Sequence, residues 1–473
     1  MRLTSPIDPI TMTRQTSLDT SDVNALLRVW RSIFPAPVRP RTETDRKRFL
    51  RRNLILHFRP ATVKEKTLIF TLSWGLGGMA ATLVLLQMAT GILLKFIYIP
   101  TPIDAYASVQ TIMVQVPFGR LVRNLHHWCA NLLVVVLMLH MLRVLLTGAF
   151  HHPRQFNWII GLVLFAMVLA ANLSGYLLPY DQLAYWAVTV FMAMMGYIPG
   201  IGGWLQQALG NGSELGPQTL PFFYSIHTAV IPVLLAGLMG FHFWRIRKAG
   251  GLVVPRRPSE PMEEMPVRVP VVPNLLVREV STALAVMASV LVFSIFFDAA
   301  LSAPANPGLS PNPVRAPWYF AGLQELLLHV HPAVAVSIIP LLAGFFLVSI
   351  PYLAYPQSTE GIWFASARGR THSTRTAIMT TVITPALILV HALVVKTVPW
   401  AMDMSPLVRD GILPMLIIFA LTTGGVLILR KRYGCTLNET IQSLFVAMVT
   451  ALMVLTVVGV FFRGPFMRLI WPV

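Results

Sequence analysis

Long apolar stretches alternate along the chain with short polar or basic segments. Nine of the stretches approach or exceed the roughly 20 residues that an α-helix needs to cross a bilayer. They lie at about 67–99, 121–147, 157–178, 221–246, 280–302, 333–354, 375–397, 411–430 and 440–462. The pattern therefore predicts an all-α polytopic membrane protein.

Composition agrees with this class and excludes others. Of the 473 residues, 55% are hydrophobic and only 12% are charged, which is typical of a protein embedded in lipid. The formal net charge of +18 would suit nucleic acid, but the Lys and Arg residues lie between the apolar stretches rather than in one patch. We therefore expect a bilayer and no nucleic acid as partner. Two cysteines are too few for a disulfide framework.

The basic segments predict the orientation. The segment 1–66 is rich in Lys and Arg, and further basic clusters lie at 245–248, 368–375 and 430–432. These clusters alternate with less basic connections, so the positive-inside rule places the N-terminus in the cytoplasm, in a bacterial-type inner membrane. The polar leader lacks an early apolar region and a cleavage site, so no signal peptide is expected.

The same pattern predicts four regions. They are a basic cytoplasmic segment (1–66), a four-helix domain (67–249), a cytoplasmic linker (250–279) and a C-terminal membrane domain with about five helices (280–473). Within the first region, residues 1–22 are expected to be disordered. Residues 23–34 form either an amphipathic surface helix or a solvated arm.

Histidines recur at matching depths in two of the apolar stretches. His140 follows His126 at position i+14, and His242 follows His227 at position i+15. At about 100° and 1.5 Å per residue, the first pair is separated by roughly 21 Å and about 40°, and the second pair by about 60°. His127 would lie roughly 140° away from His140, so His126 is the predicted partner.

These four histidines predict two metal macrocycles. A lone histidine in an apolar helix is usually a packing residue, but an ionisable side chain inside a membrane is costly, and four at paired depths favour a function. We expect two non-covalent b-type haems with bis-histidine ligation in a four-helix bundle. His126 would pair with His227 near the outer face, and His140 with His242 near the inner face.

Glycines and arginines accompany the histidines. Gly77 and Gly91 in the first stretch, and Gly161 and Gly175 in the third, repeat the i to i+14 spacing of His126 and His140. Glycine allows a flat ring to approach the backbone, although small-residue helix packing is the alternative.

Two arginines lie close to the histidines along the chain. Arg123 and Arg143 each lie at position i±3 from a histidine. Their guanidinium groups would either pair with haem propionates or anchor the helix at the interface.

Several motifs in this chain resemble those of cytochrome b, the membrane subunit of the Rieske/cytochrome b quinol oxidoreductases. The front half carries Arg-Asn-Leu-His-His-Trp at 123–128, Leu-His-Met-Leu-Arg at 139–143, Gly-Tyr-Leu-Leu-Pro-Tyr-Asp-Gln at 175–182 and Phe-Tyr-Ser-Ile-His at 223–227. The i to i+15 spacing of His227 and His242 resembles the chloroplast and cyanobacterial form. Ala-Pro-Trp-Tyr at 316–319 resembles the separate small subunit of that form, here fused to the front half.

The resemblance implies a function. Quinol would be oxidised at an outer site built from the segments around Tyr180 and around Pro317, Trp318 and Tyr319. One electron would pass to a Rieske iron–sulfur protein and on to a c-type cytochrome, and the other through the two haems to an inner quinone, coupled to proton translocation. The resemblance also implies a dimeric complex.

Near the inner haem, two basic residues have two interpretations. Arg247 and Lys248 would either stabilise a reduced quinone or only anchor the helix.

Two departures from the family pattern change the expectations. Gly75 occupies the position of the cysteine that holds an extra haem in the chloroplast-like form, so we expect no covalent haem. Pro317 occupies the position of the glutamate in the usual Pro-Glu-Trp-Tyr motif. The quinol proton therefore needs another acceptor; Glu325 is the first candidate and Asp181 the second, and either carboxylate could instead be structural.

Two other functions remain open. A di-haem membrane anchor would pass electrons between a dehydrogenase or cytochrome module and the quinone pool without a bifurcating site. A haem-free transporter with histidines in the membrane would lack the haem absorbance spectrum.

Overall fold

The computed structural model of the chain describes residues 42–43, 45–46, 61–210, 212, 215–254, 256–257, 259–260 and 266–471. The chain divides into two compact units, 1–61 and 62–473. The expected disordered leader at 1–22 and the expected surface helix at 23–34 lie outside the described residues. The candidate membrane-spanning helices among the described residues all lie in the second unit.

Helices dominate the second unit. In chain order its elements are β1 (Thr62–Lys64), α1 (Phe70–Ser73), α2 (Leu76–Lys95), α3 (Ala105–Val114), α4 (Gly119–Leu146), α5 (Gln155–Leu177), α6 (Gln182–Met195), α7 (Gly202–Gly210), α8 (Thr219–Lys248), β2 (Arg268–Pro270), α9 (Val271–Phe296), α10 (Trp318–Leu327), α11 (Val334–Tyr352), α12 (Ala367–Val395), α13 (Pro399–Met402), α14 (Leu407–Arg432) and α15 (Leu437–Phe461). Short 3₁₀ turns span Glu65–Leu68 and Pro465–Met467.

Nine of these helices, among the residues that the structure describes, are long and apolar enough to cross a membrane: α2, α4, α5, α8, α9, α11, α12, α14 and α15. This confirms the predicted fold class, an all-α polytopic membrane protein.

The first apolar stretch is broken, contrary to the single helix expected from 67. Trp74 and Gly75 both have left-handed backbone angles, with φ of 53° and 63°. A left-handed residue ends a helix, and glycine adopts that conformation without strain. The membrane helix α2 therefore begins only at Leu76.

The fifth spanning helix begins earlier than expected. α9 spans Val271–Phe296 and so begins before 280, but Val272 is extended, and the regular helix starts at Pro273, where a missing N–H breaks no helical hydrogen bond. Just before it, β2 pairs antiparallel with β1, with Val63 opposite Val269. The two chain segments that precede α2 and α9 therefore lie together at one end of the helices.

A wide π turn interrupts α8 at Ile226–Val230, where the Ile231 N–H donates to the Ile226 carbonyl. Pro232 lies two residues after its end, and because proline has no N–H it cannot continue the ordinary i→i−4 ladder. A π turn holds one extra residue. His227 lies in this turn, so its i to i+15 spacing to His242 acts like an i to i+14 spacing.

Two sets of contacts account for much of the helix packing. Buried residues of α2, α4, α5, α8 and α9 form one apolar cluster, which includes Leu83, Val134 and Val168. In the back half, α15 packs against both α10 and α12. Its first turn is held by a capping box between Thr436 and Glu439, which satisfies N–H groups that the helix leaves unpaired.

Candidate functional site

His126 and His227 face each other across the front bundle. Their ring centroids are 6.2 Å apart, with the ring planes at 75°. Metal–imidazole bonds are about 2 Å long, so this gap has room for one metal ion bound by both rings. The predicted outer pair is therefore brought together, by α4 on one side and the π turn of α8 on the other.

Hydrogen bonding identifies which nitrogen of His126 carries the proton. Its Nδ1 lies 2.9 Å from Thr90 Oγ1, and the Thr90 hydroxyl already donates its only hydrogen to the Leu86 carbonyl. His126 Nδ1 must therefore donate to Thr90. In a neutral imidazole this leaves Nε2 with a free lone pair, the form that binds a metal.

His227 repeats this arrangement. Its Nδ1 lies 3.2 Å from Ser174 Oγ and 3.1 Å from the Ala171 carbonyl oxygen. Because the Ser174 hydroxyl donates to Ala170 and a carbonyl can only accept, Nδ1 of His227 is also the donor. Both rings of the outer pair thus present an unprotonated Nε2.

The inner pair, His140 and His242, lies between the same two helices nearer their other ends. The two rings are close enough to interact electrostatically. His140 lies on α4 with His126, and His242 lies on α8 with His227. The structure therefore places the four predicted histidines as two pairs at two depths.

Each histidine lies opposite one of the predicted glycines. A Cβ atom built on Gly91 would lie 3.3 Å from Cε1 of His126, and one on Gly175 would lie 2.5 Å from Cε1 of His227. For Gly77 and His140 the distance is 3.6 Å, and for Gly161 and His242 it is 3.8 Å. At Gly175 no larger residue fits without displacing the ligand ring.

These donors fit a haem better than a bare ion. Among the described residues there is no group of three or more His, Cys, Asp or Glu side chains that could hold a metal. Two facing imidazoles supply only two ligands. This number suits a metal whose remaining ligands come from a flat macrocycle.

His127 points to a different neighbour. Its ring lies edge-on to Trp128, with centroids 4.8 Å apart, and the Trp128 indole N–H donates to the Phe297 carbonyl. Because neighbouring residues of a helix point about 100° apart, the His127 ring points away from the gap between His126 and His227; the choice of His126 as ligand stays a prediction.

Arg123 has partners within the protein, and its predicted pairing with a haem propionate stays a prediction. Its guanidinium is buried and donates to the Ala299 and Ala300 carbonyls at 2.7 and 2.8 Å. It therefore fastens the connection after α9 to the start of α4. Arg143 is buried near the other end of α4.

Next to Arg123, an ion pair joins the same two segments. Arg120 pairs with Asp298, and hydrogen bonds from Arg120 and Asn124 lower the pKa of Asp298 to about 2.

The two segments expected to form the outer quinol site are joined. Asp181 forms an isolated β-bridge with Pro304, the Ala305 N–H donates to the Tyr180 carbonyl at 3.2 Å, and Tyr106 donates to the Ser302 carbonyl. The connection between α5 and α8 and the connection between α9 and α10 therefore form one continuous layer.

Trp318 and Tyr319 begin α10, and Pro317 is its N-cap residue. The Trp318 indole donates to Asn131 Oδ1 on α4 at 2.7 Å, and both rings pack on the apolar cluster of the front bundle. Burial raises the pKa of Tyr319, with a smaller contribution from Tyr176. Its phenol therefore stays neutral and can donate a hydrogen bond.

Neither carboxylate proposed as proton acceptor is free. Asp181 is buried and caps α6, because one oxygen accepts from the Ala184 N–H at 2.9 Å and the other from the Ser302 N–H at 2.8 Å. Glu325 is fully buried and forms an ion pair with Arg463. Burial by itself would raise the pKa of Glu325, but hydrogen bonds from His329 and Arg463 outweigh it and lower this pKa.

Arg247 and Lys248 lie exposed at the C-terminal end of α8. The Lys248 ammonium lies 5.5 Å from the centroid of the Trp244 ring, which is a cation–π contact. Both residues lie about 8–9 Å further along the helix than His242, and their role toward a quinone stays a prediction.

Sequence reasoning missed the side chains that orient the ligands. Thr90 and Ser174 hold the outer rings, and Gln87 donates to the His126 carbonyl at 2.8 Å. A signal was present, because each hydroxyl residue directly precedes one of the predicted glycines. The glycine and its neighbour thus act together on one histidine.

Comparisons with known proteins agree with this geometry. The family model described as cytochrome b/b6/petB matches residues 63–250. Cytochrome b6 of Chlamydomonas reinhardtii is 43% identical over 175 residues, which are 37% of this chain and 81% of that protein. Cytochrome b6 of Mastigocladus laminosus is 45% identical over 175 residues, again 37% of this chain and 81% of the relative.

A structural comparison covers more of the chain. A solved chain described as a hyperthermophilic respiratory Complex III has a TM-score of 0.62 and 23% identity, over 86% of this chain and 97% of that one. At this identity the likeness concerns the fold alone. The sequence relatives, by contrast, are matched over most of their length at 43% and 45% identity, and the chain therefore belongs to the cytochrome b/b6 family.

Proposed function

We propose that this chain is the di-haem cytochrome b subunit of a Rieske-type quinol:cytochrome c oxidoreductase. The observation that supports it is the pair of histidine sites at two depths between α4 and α8, with a glycine opposite every ring. Glycine in a helix costs about 1 kcal/mol relative to alanine, so its presence needs a reason. A histidine with only a structural role would not need the space that these glycines leave open.

The residues around each site would hold the histidine ligands in position. When bound, two b haems would supply one-electron carriers that connect the outer side of the membrane to the inner side. His126 and His227 would hold the outer haem, with Thr90 and Ser174 fixing their tautomers. His140 and His242 would hold the inner haem.

Quinol oxidation is proposed at the layer formed by the two joined connections. Trp318 and Tyr319 follow one of these connections along the chain and pack on the front bundle. The buried, neutral Tyr319 phenol can orient a quinol oxygen by hydrogen bonding. One electron would go to a Rieske iron–sulfur protein and then a c-type cytochrome, and the other toward an inner quinone near Arg247 and Lys248.

The remaining assignments follow the same proposal. Protons released at the outer layer and taken up at the inner site would couple the reaction to proton translocation. The complex would be dimeric and would lie in a bacterial-type cytoplasmic membrane, with the N-terminus inside. The basic clusters at 245–248 and 430–432 support this orientation.

A di-haem anchor without a quinol-oxidising site is the second candidate. It would need the histidine pairs but not the layer in which Asp181 meets Pro304 and Arg123 binds Ala299 and Ala300. So many contacts dedicated to the two connections favour the first function.

Purification of the native complex tests the proposal. We expect a Rieske protein to copurify, about two b-type haems per chain that acid–acetone extracts completely, and reduction of cytochrome c by quinol. A complex with two haems, no Rieske protein and no such activity would favour the anchor. Haem that stays on the polypeptide would contradict the non-covalent assignment.

A further inference from the structure

The end of the chain folds back on the connection that leads to Trp318 and Tyr319. After α15 the chain forms a short hairpin over 462–470, here named the C-terminal hairpin, in which Arg463 and Leu469 form an antiparallel bridge. The proposed reaction does not involve this hairpin, so its contacts need another explanation.

The turn of the C-terminal hairpin has an unfavourable backbone. Phe466 and Met467 have left-handed φ angles of 55° and 56°, and the Arg468 N–H closes the turn on the Pro465 carbonyl at 3.2 Å. Hairpin turns of this kind usually contain Asn and Gly, because a bulky side chain strains the left-handed conformation. Contacts outside the turn must therefore hold it in place.

The connection between α9 and α10 supplies such contacts. Asn312 Oδ1 accepts a hydrogen bond from the Phe466 N–H at 2.5 Å. The Arg315 guanidinium donates to the Arg463 carbonyl at 2.6 Å, and Arg463 Nη1 in turn donates to the Met467 carbonyl at 2.8 Å. The connection and the C-terminal hairpin are therefore joined at two points.

Gln324 joins the same connection to α10. Its Oε1 accepts from the Ala316 N–H at 2.8 Å, and its Nε2 donates to the Val314 carbonyl, also at 2.8 Å. The side chain is half-buried, and both polar groups of its amide are used. Because Gln324 belongs to α10 itself, the connection cannot move away from the start of this helix without breaking both bonds.

The end of α15 is fixed against α10. A Cβ atom built on Gly459 would lie only 2.8 Å from the Ala321 carbonyl oxygen, so the two helices approach each other too closely for a side chain there. Just after α15, Arg463 Nε donates to Oε2 of the buried Glu325 at 2.8 Å. The C-terminal hairpin therefore starts from a fixed point on α10.

These contacts converge on a short stretch of chain. All of those made by the connection belong to residues 312–316, which lead through Pro317 to Trp318 and Tyr319. The Trp318 indole is itself held by Asn131 Oδ1 at 2.7 Å. A displacement of about 1 Å at a reacting group can lower a rate by about 100-fold, so a quinol site at these residues depends on how firmly the stretch before them is held.

We propose that Arg315 and Gln324 are positioning residues for quinol oxidation, which fix the start of α10 together with the C-terminal hairpin and so orient the Tyr319 phenol. Neither side chain contacts quinol in this proposal, because both act through the backbone of the connection. The inference rests on the proposed function, since it takes the outer layer as the quinol site.

Gln324→Met tests this role in the purified complex, with duroquinol as electron donor and cytochrome c as acceptor. Methionine keeps the length and the helix propensity of the side chain but loses both hydrogen bonds, so the Tyr319 phenol should lose its alignment with the quinol oxygen. We expect the KM for duroquinol to rise by about 2- to 10-fold, the effect of one hydrogen bond, with kcat per b haem unchanged. A merely structural role would reduce the number of intact complexes and would leave KM as it is.

Hydrogen exchange, measured by mass spectrometry on the same complex, tests the positioning without turnover. In Gln324→Met the amides of residues 312–316 should exchange faster, because the Ala316 N–H loses its acceptor. Gln442→Met is the matched control. Its amide bonds the Leu145 carbonyl at 3.4 Å and not the connection, so it should change neither KM nor this exchange.

Variants of Arg315 test the contact with the C-terminal hairpin. Arg315→Leu removes the donor to the Arg463 carbonyl and should raise KM in the same direction, whereas Arg315→Lys keeps a donor and should restore it. Arg468→Leu is the control within the hairpin. Its guanidinium lies over the Phe466 ring, 5.9 Å from the centroid, so its loss should leave KM unchanged.

The possible outcomes separate the inference from the proposed function. If the wild-type complex oxidises duroquinol, an unchanged KM in Gln324→Met and Arg315→Leu, a fall in kcat alone, or unchanged exchange at 312–316 would overturn the inference and leave the proposed function standing. A wild-type complex with two haems that oxidises no quinol would refute the proposed function and the positioning role with it.

Discussion

Buried histidines occur in both halves of the molecule, but their neighbours differ. In the front bundle, His126 and His227 face each other with one nitrogen held by a hydroxyl and the other free. In the back half, His329 and His391 contact each other and a carboxylate at either end. An imidazole with a free lone pair and a cleared space can bind a metal, whereas one hydrogen-bonded at both nitrogens has no lone pair left for a metal.

The two regions also differ in the space beside each histidine ring. Each of the four predicted ligand histidines faces a glycine, and the back pair faces charged side chains from three separate elements. The role of a histidine therefore depends on the partner of each ring nitrogen rather than on the depth of the residue in the membrane.

The largest effect is expected from removing a front ligand. His227→Ala should eliminate the outer haem, since one imidazole alone cannot complete the site. The haem content should drop from about two to about one per chain in a pyridine haemochrome assay. His127→Ala is the control and should retain both haems, because its ring contacts Trp128 instead; a lost haem there would mean that the wrong neighbour was chosen.

Breaking the ion pair between Glu325 and Arg463 in the back half should lower the stability of the protein without loss of haem. Glu325→Ala leaves Arg463 buried and unpaired, so the free energy of unfolding should fall by about 3–5 kcal/mol, measurable by denaturation in micelles. Arg120→Ala, which breaks the exposed pair with Asp298, should change it far less. Equal effects of the two variants would contradict the distinction.

Acid should weaken this same pair. The pKa of Glu325 is lowered from its ordinary value of 4.5, so its contribution to stability is complete above about pH 4.5 and is lost as the pH falls through the folded pKa. Denaturation midpoints measured on acidification should show this loss in the wild type. Glu325→Gln should remove it.

A smaller effect is expected from filling the space beside His227. In Gly175→Ala the added Cβ would lie 2.5 Å from the ring, so the ring must shift, at a cost of about 1–3 kcal/mol and with an altered outer-haem spectrum. Gly237→Ala on α8, where no atom lies within 4 Å of the new Cβ, is the control. A wild-type spectrum in Gly175→Ala would show that no haem depends on this clearance.

The smallest effect should come from the hydroxyl that orients His126. Thr90→Val keeps the shape of the side chain but removes the acceptor of the Nδ1 proton, and such partners contribute about 10–100-fold in metal affinity. We expect the outer haem to be retained but to dissociate more readily in a haem-transfer assay. Thr82→Val on the same helix, where the hydroxyl bonds only the Gly78 carbonyl, should leave the dissociation rate unchanged.

Local periodicity explains why much of the candidate site was predictable. Helical spacing relates His126 to His140 and Gly77 to Gly91, and nothing beyond one helix is needed to see it. Spacing failed where the backbone departed from the ideal helix. The offset of about 60° predicted between His227 and His242 is compensated by the π turn at Ile226–Val230, which the sequence alone marks only by Pro232.

The sequence by itself determined the nine apolar spans, the paired histidines and the glycines opposite them, because the helix repeat and the hydrophobic effect act on neighbouring residues. Tertiary structure alone decided the partners of the polar side chains. Arg123 binds the carbonyls of Ala299 and Ala300, and Arg463 reaches back to Glu325. Such contacts join residues that are far apart along the chain, so they depend on how the helices pack and leave no period in the sequence.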